Sequence, residues 1–116
     1  MNDNMKLVIK ALRSGDYTKT TGALQNNRGS CCLGVMCAVF EKVTGNDVLR
    51  FTNGLIDGGN LTRHPQVKEW VGLMGPCGAF KNEHKGMWSL AGLNDNGATF
   101  LQIADFIESE PEGLLV

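Results

Sequence analysis

An uninterrupted apolar segment, residues 31–40, constrains this chain more than any other feature of its sequence. The segment is about half as long as a transmembrane helix, which needs roughly 20 apolar residues. A helix without a polar face must be covered on most of its sides, so the segment predicts a buried central helix. Ser30 is its predicted N-cap, and Gly45 its left-handed stop. Gly34 and Ala38 lie four residues apart on one face, where their small size lets another element approach closely.

Length and charge restrict the class of protein. With 116 residues, 42% of them hydrophobic, the chain fits a single domain with one modest core. The formal net charge of -1 lacks the basic excess of a nucleic-acid binder, so no nucleic-acid partner is expected. The first four residues carry acid and amide groups where a secretion signal would have positive charge and an apolar stretch, and no segment is long enough to span a membrane. We therefore expect a cytoplasmic protein without membrane contact.

Helix signals occur on both sides of the central segment. Apolar residues at helical spacing predict an amphipathic helix over residues 3–13. Pro65 is placed to open a short helix that ends at Gly72. Thr99 and Gln102 form a capping box in front of a C-terminal helix.

The segments between these helices predict a small amount of β structure and several loops. Residues 17–24 predict a short hairpin or strand pair that turns at residues 25–29, and a further strand is expected around residues 48–51. Three segments are predicted to be irregular: an exposed connection at 73–86, a turn at 94–97 and a frayed tail at 110–116. The chain is thus predicted to be a single α+β domain, residues 1–116, with a central buried helix, three or more further short helices and a small hairpin or sheet.

Three segments carry a resemblance to known sequences. They are Ala-Leu-Arg-Ser-Gly with Tyr17, Cys-Cys-Leu-Gly-Val-Met-Cys at residues 31–37, and Leu-Asn-Asp-Asn-Gly at residues 93–97 leading into the last helix. Together they resemble a family of small proteins found mostly in bacteriophage and prophage genomes. The resemblance spans nearly the whole chain and implies a virus-encoded accessory protein in the cytoplasm of the infected host. Many members of that family have an acid at the position of Ala38, so any role of such an acid does not apply to this chain.

Thiol catalysis is one alternative that the cysteines raise. Cys31 and Cys32 fall in the first turn of the predicted central helix, where the dipole and free N–H groups favour a thiolate. A nucleophilic cysteine normally has a base, yet His64 and His84 both lie in predicted loops. Buried thiols that act as small hydrophobic groups are therefore favoured. No catalytic residue is assigned, and a thiol-dependent enzyme is kept as a third hypothesis.

Metal binding and DNA binding are two further alternatives that the pattern does not favour. Enough zinc ligands are present, namely Cys31, Cys32, Cys37, Cys77 and His84. Their spacing matches no paired Cys-x-x-Cys arrangement, so no metal and no cofactor are expected. Residues 90–107 resemble the first half of a helix-turn-helix, but three glutamates follow where a basic recognition helix should lie.

Polar residues around the start of the central helix predict a small-molecule site. A helix N-terminus with neighbouring arginines is a natural phosphate site, and an aromatic ring can stack on a base. We therefore predict that the protein binds a phosphate-bearing, nucleotide-type molecule and sequesters a signal of host defence. The predicted ligand-binding residues are Arg13, Tyr17, Lys19, Arg28, Ser30, Trp88, Asn94 and Asp95. The last two contribute only if their turn folds back against the pocket.

The alternative is a non-catalytic module that binds a host protein. In that case the arginines are ordinary surface charges, and the protein acts through a flat interface that inhibits or modulates its partner. Self-association into a homo-oligomer stays open in both cases. A response to nucleotides separates the two hypotheses, because only the first requires a phosphate pocket.

Overall fold

The first helix is fixed by a cap at each end. In the computed structural model, which describes residues 1–49, 55–56, 59–82 and 86–116, helix α1 spans Asp3–Ser14. The Oδ1 atom of Asn2 accepts a hydrogen bond of 2.8 Å from the backbone of the first turn, and Gly15 ends the helix at a φ of 79°. The residues at helical spacing are all buried: Met5, Val8, Ile9 and Leu12. The helix predicted at residues 3–13 is confirmed.

Helix α2, Cys32–Thr44, is the predicted central helix. Its residues are buried almost all the way round, and Gly45 ends it in the left-handed conformation as expected. The start differs from the prediction by one residue. Cys31, with its Sγ accepting from the Gly34 N–H at 3.4 Å, is the N-cap instead of Ser30. Ser30 is the last residue of a strand, so its backbone takes part in the pairing of that strand and the helix begins after it.

A small antiparallel sheet lies beside α2. Strands β1 (Gln25–Asn26) and β2 (Gly29–Ser30) form a tight hairpin, and β3 (Leu55–Ile56) pairs with the other side of β1. The Asn26 side chain closes the hairpin by accepting from the backbone N–H groups of the two residues that end the turn.

The hairpin is present but begins later than predicted. Residues 17–24 form no regular strand and meet β2 through a single parallel bridge between Lys19 and Ser30. Of the strand expected around 48–51, Val48 and Leu49 have no strand structure, and the other two positions lie outside the described residues. The hydrogen bonds of the Asn26 side chain therefore fix the register of the β1–β2 hairpin, whereas the β-branched residues before Asn26 do not.

The second half of the chain begins with helix α3, Pro65–Val71, which opens with the proline and ends at Gly72 as predicted. Strands β4 (Ala79–Asn82) and β5 (Gly86–Ser89) follow and pair antiparallel with Phe80 opposite Trp88. The prediction of an irregular exposed connection at 73–86 is therefore wrong for residues 79–82 and 86. Residues 73–78 form no helix or regular strand, and residues 83–85 lie outside the described residues. Phe80 is buried and its ring lies 4.5 Å, centroid to centroid, from that of Phe106, and burial of so large a side chain orders the segment.

Two helices complete the order of elements. Helix α4, Leu90–Asp95, takes in the first half of the segment predicted as a turn, so that Asn94 and Asp95 are its last residues. Helix α5, Phe100–Glu108, has both hydrogen bonds of the predicted capping box between Thr99 and Gln102. That prediction is confirmed.

The tail, residues 110–116, packs against the domain instead of fraying. Leu114 is fully buried. The carbonyl oxygen of Leu114 accepts from the Met74 N–H at 3.0 Å, and that of Glu112 accepts from the Lys81 N–H at 2.8 Å. The expectation of a frayed end omits an apolar anchor: the burial of Leu114 and the backbone hydrogen bonds of the tail together oppose the entropy of ordering it.

These elements form one core around α2. Helices α1, α3 and α4 all contact α2, and α1 also packs along α5. The α+β class is confirmed: the described residues form five helices, a three-stranded sheet and a two-stranded sheet. In the described part of the chain, no helix has the length and apolar character needed to cross a membrane.

Candidate functional site

The start of α2, where the phosphate site was predicted, is filled by a protein side chain. Asn94 is fully buried at the end of α4. Its Oδ1 accepts from the Cys32 N–H at 3.1 Å, and its Nδ2 donates to the Thr20 carbonyl oxygen at 2.8 Å. The turn does fold back against the helix N-terminus, as the hypothesis required. The side-chain amide of Asn94 therefore occupies the position that a phosphate oxygen would need.

The two cysteines at this position are thiols shielded from water. Burial raises the pKa of the Cys31 thiol, and it raises that of the fully buried Cys32 well above the ordinary value. Cys32 Sγ donates to the Leu90 carbonyl oxygen at 3.6 Å, as a protonated thiol does. Buried thiols are the interpretation that the sequence favoured over a thiolate, and the burial of both residues agrees with it, because desolvation outweighs the N–H groups of the first turn.

Gly34 explains how the preceding loop lies so close to α2. A Cβ atom at this position would clash with the carbonyl oxygen of Leu24, so only glycine allows the loop backbone to cross the helix here. The close approach predicted for this face is confirmed at Gly34. The loop and Asn94 together seal the first turn of the helix from solvent.

The side chains of Lys19 and Asp95 form further hydrogen bonds in the same region. The Lys19 ammonium donates to the carbonyl oxygens of Asn94 and Ala98, each at 2.7 Å, where a cation compensates the negative end of α4. The Asp95 Oδ1 accepts from the Gly22 N–H at 3.1 Å. Both side chains are thus engaged in holding the loop of residues 16–24 to α4.

Arg13 is held against α5. Its guanidinium donates to Glu108 at 2.8 Å and to Asp105 at 2.7 Å. These hydrogen bonds, with Glu108 contributing most, raise the pKa of Arg13. The two carboxylates take the donors that a phosphate would use, so Arg13 acts as a clamp between the first and last helices.

The remaining predicted residues are spread over the fold. Arg28 is exposed in the β1–β2 turn, and Ser30 is buried with its backbone bonded to Thr18 and Thr20. Trp88 is half-buried in β5. Around the start of α2 the structure brings together Lys19, Ser30, Asn94 and Asp95, but it commits Arg13 to α5.

Tyr17 belongs to a different feature, an open groove of about 400 Å³ between α1 and α2. We call it the α1–α2 groove and define it by its lining residues, Leu7, Lys10, Ala11, Ser14, Asp16, Tyr17, Val39, Lys42 and Val43. Leu7 is 42% exposed and Val43 54% exposed, whereas Val39 is buried at 6%. The groove therefore has an apolar floor, two exposed aliphatic side chains and a charged border.

Sequence reasoning missed this groove, although a signal for it exists. Leu7, which is exposed, and Ala11, which is only partly buried against the core, lie four residues apart on α1. Val39 and Val43 have the same spacing on α2. A second apolar stripe on a helix that already has one is the pattern that marks a further contact surface.

Metal ligands show no comparable clustering. Within residues 1–49, 55–56, 59–82 and 86–116, no group of three or more His, Cys, Asp or Glu side chains is arranged to hold a metal ion. Of the zinc ligand set considered above, His84 lies outside the described residues.

Thiol reactivity gives a direct check on the buried cysteines. We expect Cys77, which is only partly buried, to react fast with a thiol reagent at neutral pH, and Cys31 and Cys32 to react only after denaturation. Because their pKa values are raised in the folded state, the unfolded chain loses these protons first, and stability should fall as the pH rises past the ordinary thiol pKa. Cys77→Ser is the control that removes the fast phase. Rapid labelling of Cys31 in the native protein, located by peptide mapping, would instead revive the thiol-enzyme hypothesis.

Fold and site together define a small α+β domain in which the polar cluster at the start of α2 is structural and an open groove lies between α1 and α2. Comparison with protein families identifies the chain further. It matches the family described as Domain of unknown function (DUF8296) over residues 1–111, and it belongs to that family. Comparisons with curated proteins and with solved structures gave no match.

Proposed function

We propose that the protein is a non-catalytic interaction module that docks a partner protein in the α1–α2 groove. The observation that supports this function is the pair of exposed aliphatic side chains, Leu7 and Val43, on facing helices. The half-buried Ala11 and Tyr17 line the same groove. Aliphatic and aromatic groups with a charged border are the usual composition of a protein-binding patch.

The contacts at the predicted phosphate site weigh against nucleotide binding. Asn94 fills the first turn of α2 from one side, and the loop at Leu24 covers it from another. Arg13 is bonded to two carboxylates, so a phosphate would have to displace both. Protein binding requires no such rearrangement, and for this reason we prefer it.

The resemblance to bacteriophage and prophage proteins supports a setting for this module. We propose that it acts in the cytoplasm of an infected host cell and that its partner is a host protein, which it inhibits or modulates. An anti-defence role fits this setting, since a small accessory protein can block a larger partner by occupying one contact surface.

Substitutions in the groove test the proposal. In capture from host lysate with the tagged protein, we expect Leu7→Asp and Val43→Asp each to reduce recovery of the partner at least about ten-fold, the loss that a residue at the centre of an interface produces. Leu101→Asp is the matched control, because Leu101 is 59% exposed on α5 and does not line the groove. All three variants should keep the melting temperature of the wild type, since each side chain is exposed.

Two outcomes would contradict the proposal. One is a partner that both groove variants recover as well as the wild type does. The other is a thermal-shift screen in which a nucleotide or cyclic nucleotide stabilises the wild type and Arg28→Ala abolishes that shift. A ligand at 100 times its dissociation constant raises the free energy of unfolding by about 2.7 kcal/mol, and such a shift would favour the small-molecule function.

A further inference from the structure

We propose that the partner segment seated in the α1–α2 groove is an acidic amphipathic helix, an inference that rests on the proposed function above. Two properties of the groove support this choice of occupant. The nature of its walls selects the secondary structure of the occupant, and the charges along its border select the sign of the occupant's polar face.

The walls of the groove are helical side chains. Leu7, Lys10 and Ala11 belong to one helix, and Lys42 and Val43 belong to the other. The backbone N–H and C=O groups of both helices point along their axes and bond within each helix. An extended segment would therefore find no strand edge to pair with, whereas a helix satisfies its own backbone and needs only apolar side chains at spacings of three and four residues to fill the groove.

The border of the groove is positively charged. Its lining contains two lysines, Lys10 and Lys42, and one acid, Asp16. Among the described residues, neither lysine has a carboxylate partner, while Lys6 on the same helix as Lys10 is 3.6 Å from Asp3. The ammonium groups of these lysines, on opposite walls, favour a partner whose polar face carries Asp or Glu.

The same charges disfavour a second copy of this chain as the occupant. A two-fold dimer that buries this groove would bring the lysines of one copy towards those of the other. Like charges brought together at an interface cost affinity, and a copy of this groove offers only Asp16 to compensate them.

Selection from a displayed library of random peptides tests the inference without knowledge of the natural partner. Peptides are selected on the wild-type protein and counter-selected on the Leu7→Asp/Val43→Asp double variant, so that only groove-dependent binders remain. We expect these binders to be acidic, to have apolar residues at spacings of three and four, and to gain helical circular dichroism on binding. Lys10→Glu/Lys42→Glu should weaken them about five- to ten-fold, as for two ion pairs at an exposed border. Lys68→Glu, on α3, should leave their affinity unchanged.

The alternative outcomes separate the two proposals. Groove-dependent binders that are extended, basic or indifferent to the lysine substitutions would overturn the acidic helix and leave the docking function standing. A wild-type dimer in sedimentation that Leu7→Asp dissociates would make the occupant a second copy and overturn the inference in the same way. A selection that yields no groove-dependent binder would remove the support for both proposals.

Discussion

Replacing Asn94 with leucine is expected to lower the free energy of unfolding by about 3 kcal/mol, a large part of the total stability of so small a domain. Leucine has a similar volume but no polar atoms. The Cys32 N–H and the Thr20 carbonyl oxygen would lose their partner in a buried position. A buried backbone group left without a hydrogen bond retains its full desolvation cost.

The melting temperature reports this loss most directly. For a chain of 116 residues, about 3 kcal/mol corresponds to a decrease of roughly 12 °C. Asn96→Ala is the matched control two residues away, because the Asn96 side chain bonds the Gly92 carbonyl oxygen at 2.7 Å but is exposed to water. If the two variants melted at the same temperature, the hydrogen bonds of Asn94 to Cys32 and Thr20 would not stabilise the fold as expected.

Gly34→Ala is the second substitution expected to have a large effect, a loss of at least about 3 kcal/mol. In most helices alanine is more favourable than glycine by about 1 kcal/mol. Here the added methyl group would clash with the Leu24 carbonyl oxygen, which belongs to backbone and cannot turn aside as a flexible side chain can. The loop must move away from α2, and its separation exposes the core beneath it.

Gly75→Ala provides the comparison for this effect. A Cβ atom at Gly75 has no neighbour within 4 Å, and its backbone has no positive φ. We expect the change there to be neutral or slightly stabilising, by about 0.5 kcal/mol, because alanine reduces the entropy of the unfolded chain. Chemical denaturation of both variants gives the comparison. Equal stability of the two would mean that the loop does not lie against Gly34.

The helices of this protein could be predicted because their signals are local. Gly15, Gly45 and Gly72 end three of them, and the capping box at Thr99 begins a fourth. The β4–β5 pair could not be predicted in this way. Phe80 is buried by its contacts with a strand and a helix that come later in the chain, and the residues around it look like an ordinary loop.

The contacts of the predicted site residues could not be predicted from the sequence for the same physical reason. The sequence does not indicate that Arg13 is paired, because the two carboxylates that bind it lie 92 and 95 residues further along the chain. Asn94 does reach the start of α2, but nothing in the sequence tells whether its side chain helps to bind a ligand there or bonds the helix itself. Charges and amides near a helix N-terminus predict a ligand site only when no distant side chain satisfies them first.

The packing of α1 along α5 also has a consequence for how the protein is made. Met5, Val8, Ile9 and Leu12 lie on a helix that is synthesised well before α5, which covers part of that face. Contacts of such long sequence separation slow folding, since the loop between them must close before they form. During synthesis the nascent α1 therefore leaves the part of its apolar face that α5 covers exposed until α5 has been made. We expect this interval, more than the finished fold, to be where the chain depends on chaperones.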